Sequence, residues 1–324
     1  MNNECIYWMA LAHLPKWTQE RKNSLVFDIL LSKKITLQNF FGYDEKVLKS
    51  DFNLTDKECS DIKTAKEKLP NLAFQAEKLL SEGFKIIPLN SELYPKTMKE
   101  NLKRKYAPTI LYTKGDINIF KEDSVAVVGC REANEDALNF TDNIAKKMAE
   151  EYKVVVSGGA KGVDKQALDS SIKYNGNSII VLPQGITTFD SGFRKYYQEI
   201  NKGSVIVVST YPPDAGWSTG NAMGRNVYIY GLAKRIYVAQ TNDSGGTWNG
   251  AIDGLRKNRD VFVYYPKSDT ESAAYKLIQK GAKAVDFDGN VIKTEPLQQV
   301  QEPAPLKPKT KKCNSKPEQL ELNL

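Results

Sequence analysis

Lys153-Val154-Val155-Val156-Ser157-Gly158-Gly159-Ala160-Lys161-Gly162-Val163-Asp164 is the stretch on which the fold of this 324-residue chain turns. A buried strand runs directly into a glycine-dense turn, and a helical pattern from Val163 to Tyr174 follows. Such a turn can cradle an anion. Glycine lets the main chain bend and lets a phosphate approach it closely, while unpaired N–H groups and the positive end of the helix dipole face the ligand. Lys161 adds a mobile positive charge. An ordinary strand-to-helix turn, in which glycine serves close packing, fits the same letters, so the segment alone leaves both readings open.

Outward from it, apolar strands alternate with amphipathic helices. Strands are predicted at Ile110–Tyr112, Ser124–Val128, Lys153–Val156, Ser178–Leu182, Ser204–Val208, Arg235–Ala239 and Asp260–Tyr264. Helices are predicted at Asn134–Glu150, Val163–Tyr174, Phe193–Lys202, Met223–Ala233, Thr247–Lys257 and Ser272–Gln279. Continuous apolar strands between helices specify an α/β fold, a mostly parallel sheet covered by helices on both faces. Ligands of such sheets bind at the carboxyl ends of the strands. Residues 1–82 carry helical periodicity, as in Ile6, Met9, Ala10 and His13, and predict a small all-α N-terminal domain. The α/β domain then spans 83–293. It opens with the apolar run Phe84–Pro88 and a cluster of Lys96, Lys99, Lys103, Arg104 and Lys105, whose plain reading is a solvated helix face. Residues 294–324, rich in proline and lysine, are expected to be a disordered tail.

Composition narrows the function classes. Cys5, Cys59, Cys130 and Cys313 lie far apart, which argues against a zinc site or a disulfide framework. The single histidine, His13, sits in an apolar helical stretch, so histidine-based catalysis and metal clusters are not expected. There is no apolar run of membrane-spanning length and no secretion signal, and a cytoplasmic protein is expected. A net charge of +7 suits a polyanionic partner.

Four turns would converge above the sheet. They are Gly129-Cys130-Arg131, Ser157-Gly158-Gly159-Ala160-Lys161-Gly162, Gly224-Arg225-Asn226 and Asp243-Ser244-Gly245-Gly246-Thr247. Arginine offers a planar bidentate donor to phosphate, and two arginines with a lysine among glycine turns favour an anionic ligand. Neither a Walker loop nor a dinucleotide fingerprint is present, so a nucleoside triphosphatase and a bound cofactor are not expected. Successive phosphates of a nucleic-acid strand fit better. Phe189, Tyr211, Trp217 and Trp248 near these turns are candidates for stacking on bases.

Together the motifs resemble the DNA-processing protein A family, DprA/Smf. The resemblance rests on Gly129-x-Arg131, Ser157-Gly158-x-Ala160-x-Gly162-x-Asp164, Arg225-Asn226, Ser244-Gly245-x-Thr247 and Arg259-Asp260-Val261-Phe262, in order. It continues upstream through Tyr94-Pro95 and Ala107-Pro108 and downstream through Gly281-Ala282, covering roughly residues 1–290. It implies an extended Rossmann-like domain that binds single-stranded DNA, behind a helical domain of the SAM or helix-hairpin-helix kind. It further implies protection of incoming DNA, loading of a RecA-type recombinase, and a homodimer. Carried over, the DNA pocket uses Arg131, Gly158, Lys161 and Arg225; with the turn residues Gly129, Ser157, Gly159, Gly162, Asn226, Ser244, Gly245 and Thr247 these form the predicted site. The chain departs from the family at Leu168, usually histidine, at Ser209-Thr210, usually Ser-Glu, and at Met223-Gly224, usually Phe-Pro. No winged-helix pattern follows the sheet, so duplex binding through such a module is not expected. Gln319–Leu324 resembles the short glutamine-leucine peptides that dock on the bacterial sliding clamp.

One competing class is an enzyme. Gly245-Gly246-Thr247 resembles part of the turn of lysine-decarboxylase-like phosphoribohydrolases, which cut the base from a nucleoside monophosphate. Those enzymes place a glutamate shortly after it, whereas Asp253 is the nearest carboxylate after the turn here. A non-catalytic protein is therefore the leading expectation, and a module that senses a mononucleotide shares the same pocket.

Overall fold

The computed structural model describes residues 4–265 and 271–293. The tail and Gln319–Leu324 lie outside the described residues. From Glu4 to Ile292 the described chain forms one compact unit.

Six helices come first: α1 (Glu4–Ala12), α2 (Gln19–Phe27), α3 (Leu37–Gly42), α4 (Glu45–Phe52), α5 (Asp56–Glu67) and α6 (Leu69–Ser81), with a π-turn at Asp28–Ser32 after α2. Local chemistry fixes their ends. The Thr55 hydroxyl accepts from the Glu58 N–H while the Glu58 carboxylate accepts from the Thr55 N–H, a reciprocal cap that starts α5. Asn53, at φ 50°, takes the left-handed turn that stops α4.

The sheet follows, with β1 (Lys85–Pro88), α7 (Lys96–Tyr106), β2 (Ile110–Lys114), β3 (Ser124–Gly129), α8 (Glu135–Glu150), β4 (Val154–Ser157), α9 (Val163–Lys173) and β5 (Ser178–Val181). The chain continues through α10 (Asp190–Lys195), α11 (Tyr197–Lys202), β6 (Val205–Ser209), α12 (Thr219–Gly224), α13 (Asn226–Leu232) and β7 (Arg235–Gln240). It ends with α14 (Gly246–Arg256), β8 (Asp260–Tyr264), α15 (Ala273–Gln279) and β9 (Lys283–Val285). Strand order is β1-β2-β6-β5-β4-β3-β7-β8-β9. Every pair from β6 to β9 is parallel, whereas β2 pairs antiparallel with both β1 and β6.

Alternation along the strands sends side chains to opposite faces. Val125, Val127 and Val155 pack with Phe140 and Ile144 of α8 and Ala167 of α9. Ala126, Val128, Val154 and Val156 face the other way, into a core shared with Ile229 of α13 and Ala251 of α14. That second core runs on without interruption into Trp8, Met9, Leu25, Ile29, Phe40 and Phe52 of the helical segment. Polar ties cross the same junction. His13 Nε2 lies 2.9 Å from the Tyr112 hydroxyl, and Asn23, fully buried, donates to the carbonyls of Arg104 and Ala107 at 2.8 Å each.

Three details differ from the sequence reading. The predicted helix Phe193–Lys202 divides at Tyr196 into α10 and α11, and Met223–Ala233 divides at Arg225, with its first part extended back to Thr219. The apolar period continues through both breaks, so it cannot mark them; at the second, the Arg225 side chain is drawn inward. The strand β9 was not predicted. It is three residues long and its first residue is exposed, too short for a pattern.

Among the described residues no helix is long and apolar enough to cross a membrane, and no group of histidine, cysteine or acidic side chains is arranged to hold a metal. Cys5, Cys59 and Cys130 are free thiols.

Candidate functional site

After β3 the chain adds strands on one side, through β4, β5 and β6, then returns to place β7 on the other. The carboxyl ends of β3 and β7 therefore border the crevice where open α/β sheets bind ligands. A cavity of about 570 Å³ opens there, lined by Gly129 at the end of β3 and Arg131 after it, Thr241, Asn242 and Ser244 after β7, Arg225 and Asn226 at the start of α13 and Tyr230 within it, and Thr247 of α14. A second cavity of about 590 Å³ adjoins it, lined by Lys161, Gly162, Lys165 and Gln166. Arg131 and Glu132 line both. Arg225, Arg131 and Lys161 thus border two neighbouring hollows that share a wall.

Arg225 is the central group. It is 3% exposed, and its Nε and Nη1 are buried with no hydrogen-bond partner. Its guanidinium occupies the space a side chain at position 158 would need, since a Cβ on Gly158 would lie 1.1 Å from Nη1. Asp164, at the start of α9, stands 3.7 Å from Nη1 through Oδ2, and the same oxygen accepts from the Gly158 N–H at 3.2 Å. Burial pushes the Asp164 carboxyl above the usual carboxylate range, although Arg225 pulls it down, and burial likewise lowers the Arg225 guanidinium. A guanidinium remains charged at neutral pH all the same. The result is a desolvated cation whose donors are only partly answered by protein. Leaving such donors unpaired is costly, and an anionic oxygen would satisfy them.

The glycine turns hold this arrangement. Gly162, at φ 85°, starts α9 against the backbone of the β3 turn, where a Cβ would meet the Cys130 carbonyl oxygen at 2.3 Å. The Thr247 hydroxyl donates to the Gly129 carbonyl at 3.0 Å, tying α14 to the end of β3. Of the predicted site residues, Gly129, Arg131, Arg225, Asn226, Ser244 and Thr247 line the first cavity and Lys161 and Gly162 the second. Gly159 and Gly245 are exposed turn residues at positive φ that line neither. Ser157 and Gly158 lie beneath the floor. The Ser157 hydroxyl, fully buried, donates to the Val127 carbonyl at 2.9 Å, and Gly158 underlies Arg225.

Sequence reasoning did not single out Asp164, Tyr230 or Asn242 as parts of the site. For Asp164 a signal existed in its place after the glycine turn; Tyr230 reads as an apolar helix residue. Of the four aromatic candidates, Phe189 packs edge-on against Phe193, Trp248 packs against the core, and the Tyr211 hydroxyl donates to the Asn221 carbonyl. Trp217 is 54% exposed.

Comparison with known proteins gives this geometry its context. The family described as DNA recombination-mediator protein A matches residues 85–295. The chain belongs to that family. It is 28% identical over 231 residues to DNA processing protein DprA of Bacillus subtilis, covering 68% of this chain and 74% of that one. It is 29% identical over 219 residues to DNA processing protein DprA of Streptococcus pneumoniae, covering 66% and 76%. The solved structure of the Streptococcus pneumoniae protein shares the fold, with a TM-score of 0.61 at 24% identity over 88% of this chain and 95% of that one. DNA processing protein A from Helicobacter pylori, whose structure is described for its single-stranded DNA binding mode, matches with a TM-score of 0.53 at 24% identity over 62% and 90%. Members of the recombination-mediator family therefore share with this chain the sheet on which the crevice is built.

Proposed function

We propose that this protein binds single-stranded DNA without cleaving it, holding backbone phosphates across the two hollows at the carboxyl ends of β3, β4 and β7. The observation that carries the reading is Arg225, a buried guanidinium with unpartnered Nε and Nη1 that borders the crevice beside Arg131. Lys161 extends the positive wall into the adjoining hollow. Family membership and the single-stranded DNA binding of the Helicobacter pylori relative support it. Homodimer formation and delivery of DNA to a RecA-type recombinase belong to the same proposal and rest on the family alone.

The test is a titration of a labelled thymine oligomer, the matching duplex and thymidine monophosphate in parallel at two salt concentrations. The oligomer is expected to bind best, with affinity falling steeply as salt rises, because each neutralised phosphate releases counterions. Arg131→Ala and Lys161→Ala should each weaken oligomer binding by about tenfold, whatever the base sequence. Preference for the mononucleotide, or release of free base from it, would reject the reading in favour of a nucleotide sensor or a hydrolase.

A further inference from the structure

The lysine-rich segment noted in the sequence is α7, and the strand-end crevice does not use it. Five of its eleven residues are cationic, Lys96, Lys99, Lys103, Arg104 and Lys105, against one carboxylate, Glu100. Lys96, Lys103, Arg104 and Lys105 are exposed. Among the described residues no carboxylate oxygen lies within 4.0 Å of the charged nitrogens of Lys96, Lys99, Lys103 or Arg104. Lys105 reaches Glu20 only at 4.0 Å, with both side chains more than half exposed, a pairing of little consequence in water.

This charge is held in a fixed frame, unlike that of a fraying surface helix. Buried Asn23 grips the carbonyls of Arg104 and Ala107. The Asn101 amide donates to the carbonyls of Gly231 and Ala233 at 2.9 and 3.0 Å, which fastens α7 to the end of α13. The helical pattern breaks at Lys103, at φ 51° and ψ −169°, so α7 kinks there, and the Asn23 hydrogen bond to the Arg104 carbonyl ties down the part beyond the kink. Tyr106 holds the ammonium group of Lys105, Nζ at 5.4 Å from the ring centre, and brings in one further cation, Lys257, with Nζ at 4.3 Å and an ion pair to Asp253 at 2.7 Å. The helix α13 begins at the crevice with Asn226 and ends at the carbonyls that Asn101 holds. Its seven residues span about 10 Å. A cationic ridge therefore lies one short helix away from the proposed phosphate site.

We propose that α7 is a second contact zone for single-stranded nucleic acid, holding the phosphate backbone of the strand after it leaves the crevice. The inference rests on the function proposed above. Charge complementarity selects the occupant. Lysines on a tethered element, with no carboxylate oxygen nearer than 4.0 Å among the described residues, suit a chain of phosphates, which they hold as point charges without regard to base sequence.

Two lengths of thymine oligomer separate this zone from the crevice, one of about four nucleotides, within reach of a single site, and one of about twenty. In the full chain carrying Lys96→Ala, Lys103→Ala and Lys105→Ala together, the long oligomer should bind at least about tenfold more weakly. The slope of log affinity against log salt should fall by about 2, the share of three phosphate contacts on a single strand. Binding of the short oligomer should stay as in the parent, and an unchanged thermal midpoint shows that the variant folds. Arg225→Ala, in contrast, should weaken both lengths. Equal affinity of parent and triple variant for the long oligomer overturns the proposal and gives the ridge to an acidic protein surface instead. Equal loss at both lengths overturns it too, since a general field effect then suffices. A parent that binds neither oligomer would overturn the crevice reading along with this one.

Discussion

Gly158 and Arg225 are 67 positions apart in sequence, yet they behave as one unit: the absent side chain of the first is the space that holds the guanidinium of the second. Gly158→Ala places a Cβ 1.1 Å from Nη1 and 2.1 Å from Cζ, so the arginine must leave its seat or the β4 turn must shift. Overpacking of this kind costs about 1–3 kcal/mol of stability. The expected result is a folded protein that has lost most of its affinity for the thymine oligomer. A double-mutant cycle checks the cause, because Gly158→Ala should add almost nothing once Arg225→Ala is present. Additive losses would separate the two residues. At this scale the sequence was only partly legible. It marked Arg225 as an anion ligand and Gly158 as a turn glycine, since each residue type announces its chemistry. That the glycine serves the arginine, and that Asp164 touches both, depends on the return of the chain from β6 to β7, which no local pattern encodes.

At the scale of elements, periodicity carried far. The seven predicted strands all occur within a residue or two of their predicted ends, because a strand buried on both faces must be apolar throughout and the flanking turns are rich in glycine and polar residues. What periodicity cannot mark is a helix that stops and restarts on the same apolar face, as at Tyr196 and Arg225, or the direction of an edge strand such as β1. It also says little about how one set of elements is joined to another. His13 of the N-terminal helical segment meets the sheet at Tyr112. Burial, helped by neighbouring Lys22, lowers its pKa from 6.5 to about 3. Below pH 6.5 the unfolded chain takes up a proton that the native imidazole refuses, so this group's contribution to stability is lost as pH falls from 6.5 towards about 3 and is level above that window. His13→Gln cannot titrate. It should be less stable than the parent at neutral pH, yet lose less stability by urea denaturation between about pH 6 and about pH 4. Parallel pH profiles for parent and variant would remove His13 from the acid response.

At the scale of the whole molecule, the core decides how the parts share stability. Trp8, 1% exposed in α1, belongs to the same cluster of buried side chains as Tyr112 of β2, Val207 of β6 and Ile229 of α13. Exposing that cluster in one half strips apolar contacts from the other, and burial contributes roughly 25 cal/mol per Å². The helical segment and the sheet should therefore unfold together. The four tryptophans allow a direct check, since Trp8 and Trp17 report on the helical segment and Trp217 and Trp248 on the sheet. Two variants, one keeping only Trp8 and one only Trp248, with phenylalanine at the other three positions, should show the same denaturant midpoint by fluorescence, coincident with far-ultraviolet dichroism. Under the proposed function a saturating thymine oligomer binds the native state at the sheet, so mass action should raise the Trp8 midpoint as much as the Trp248 midpoint. If the oligomer moved Trp248 and left Trp8 behind, the shared core would not couple the two regions. Equal movement would mean that a ligand bound to the sheet stabilises the helix carrying Trp8 through the core they share.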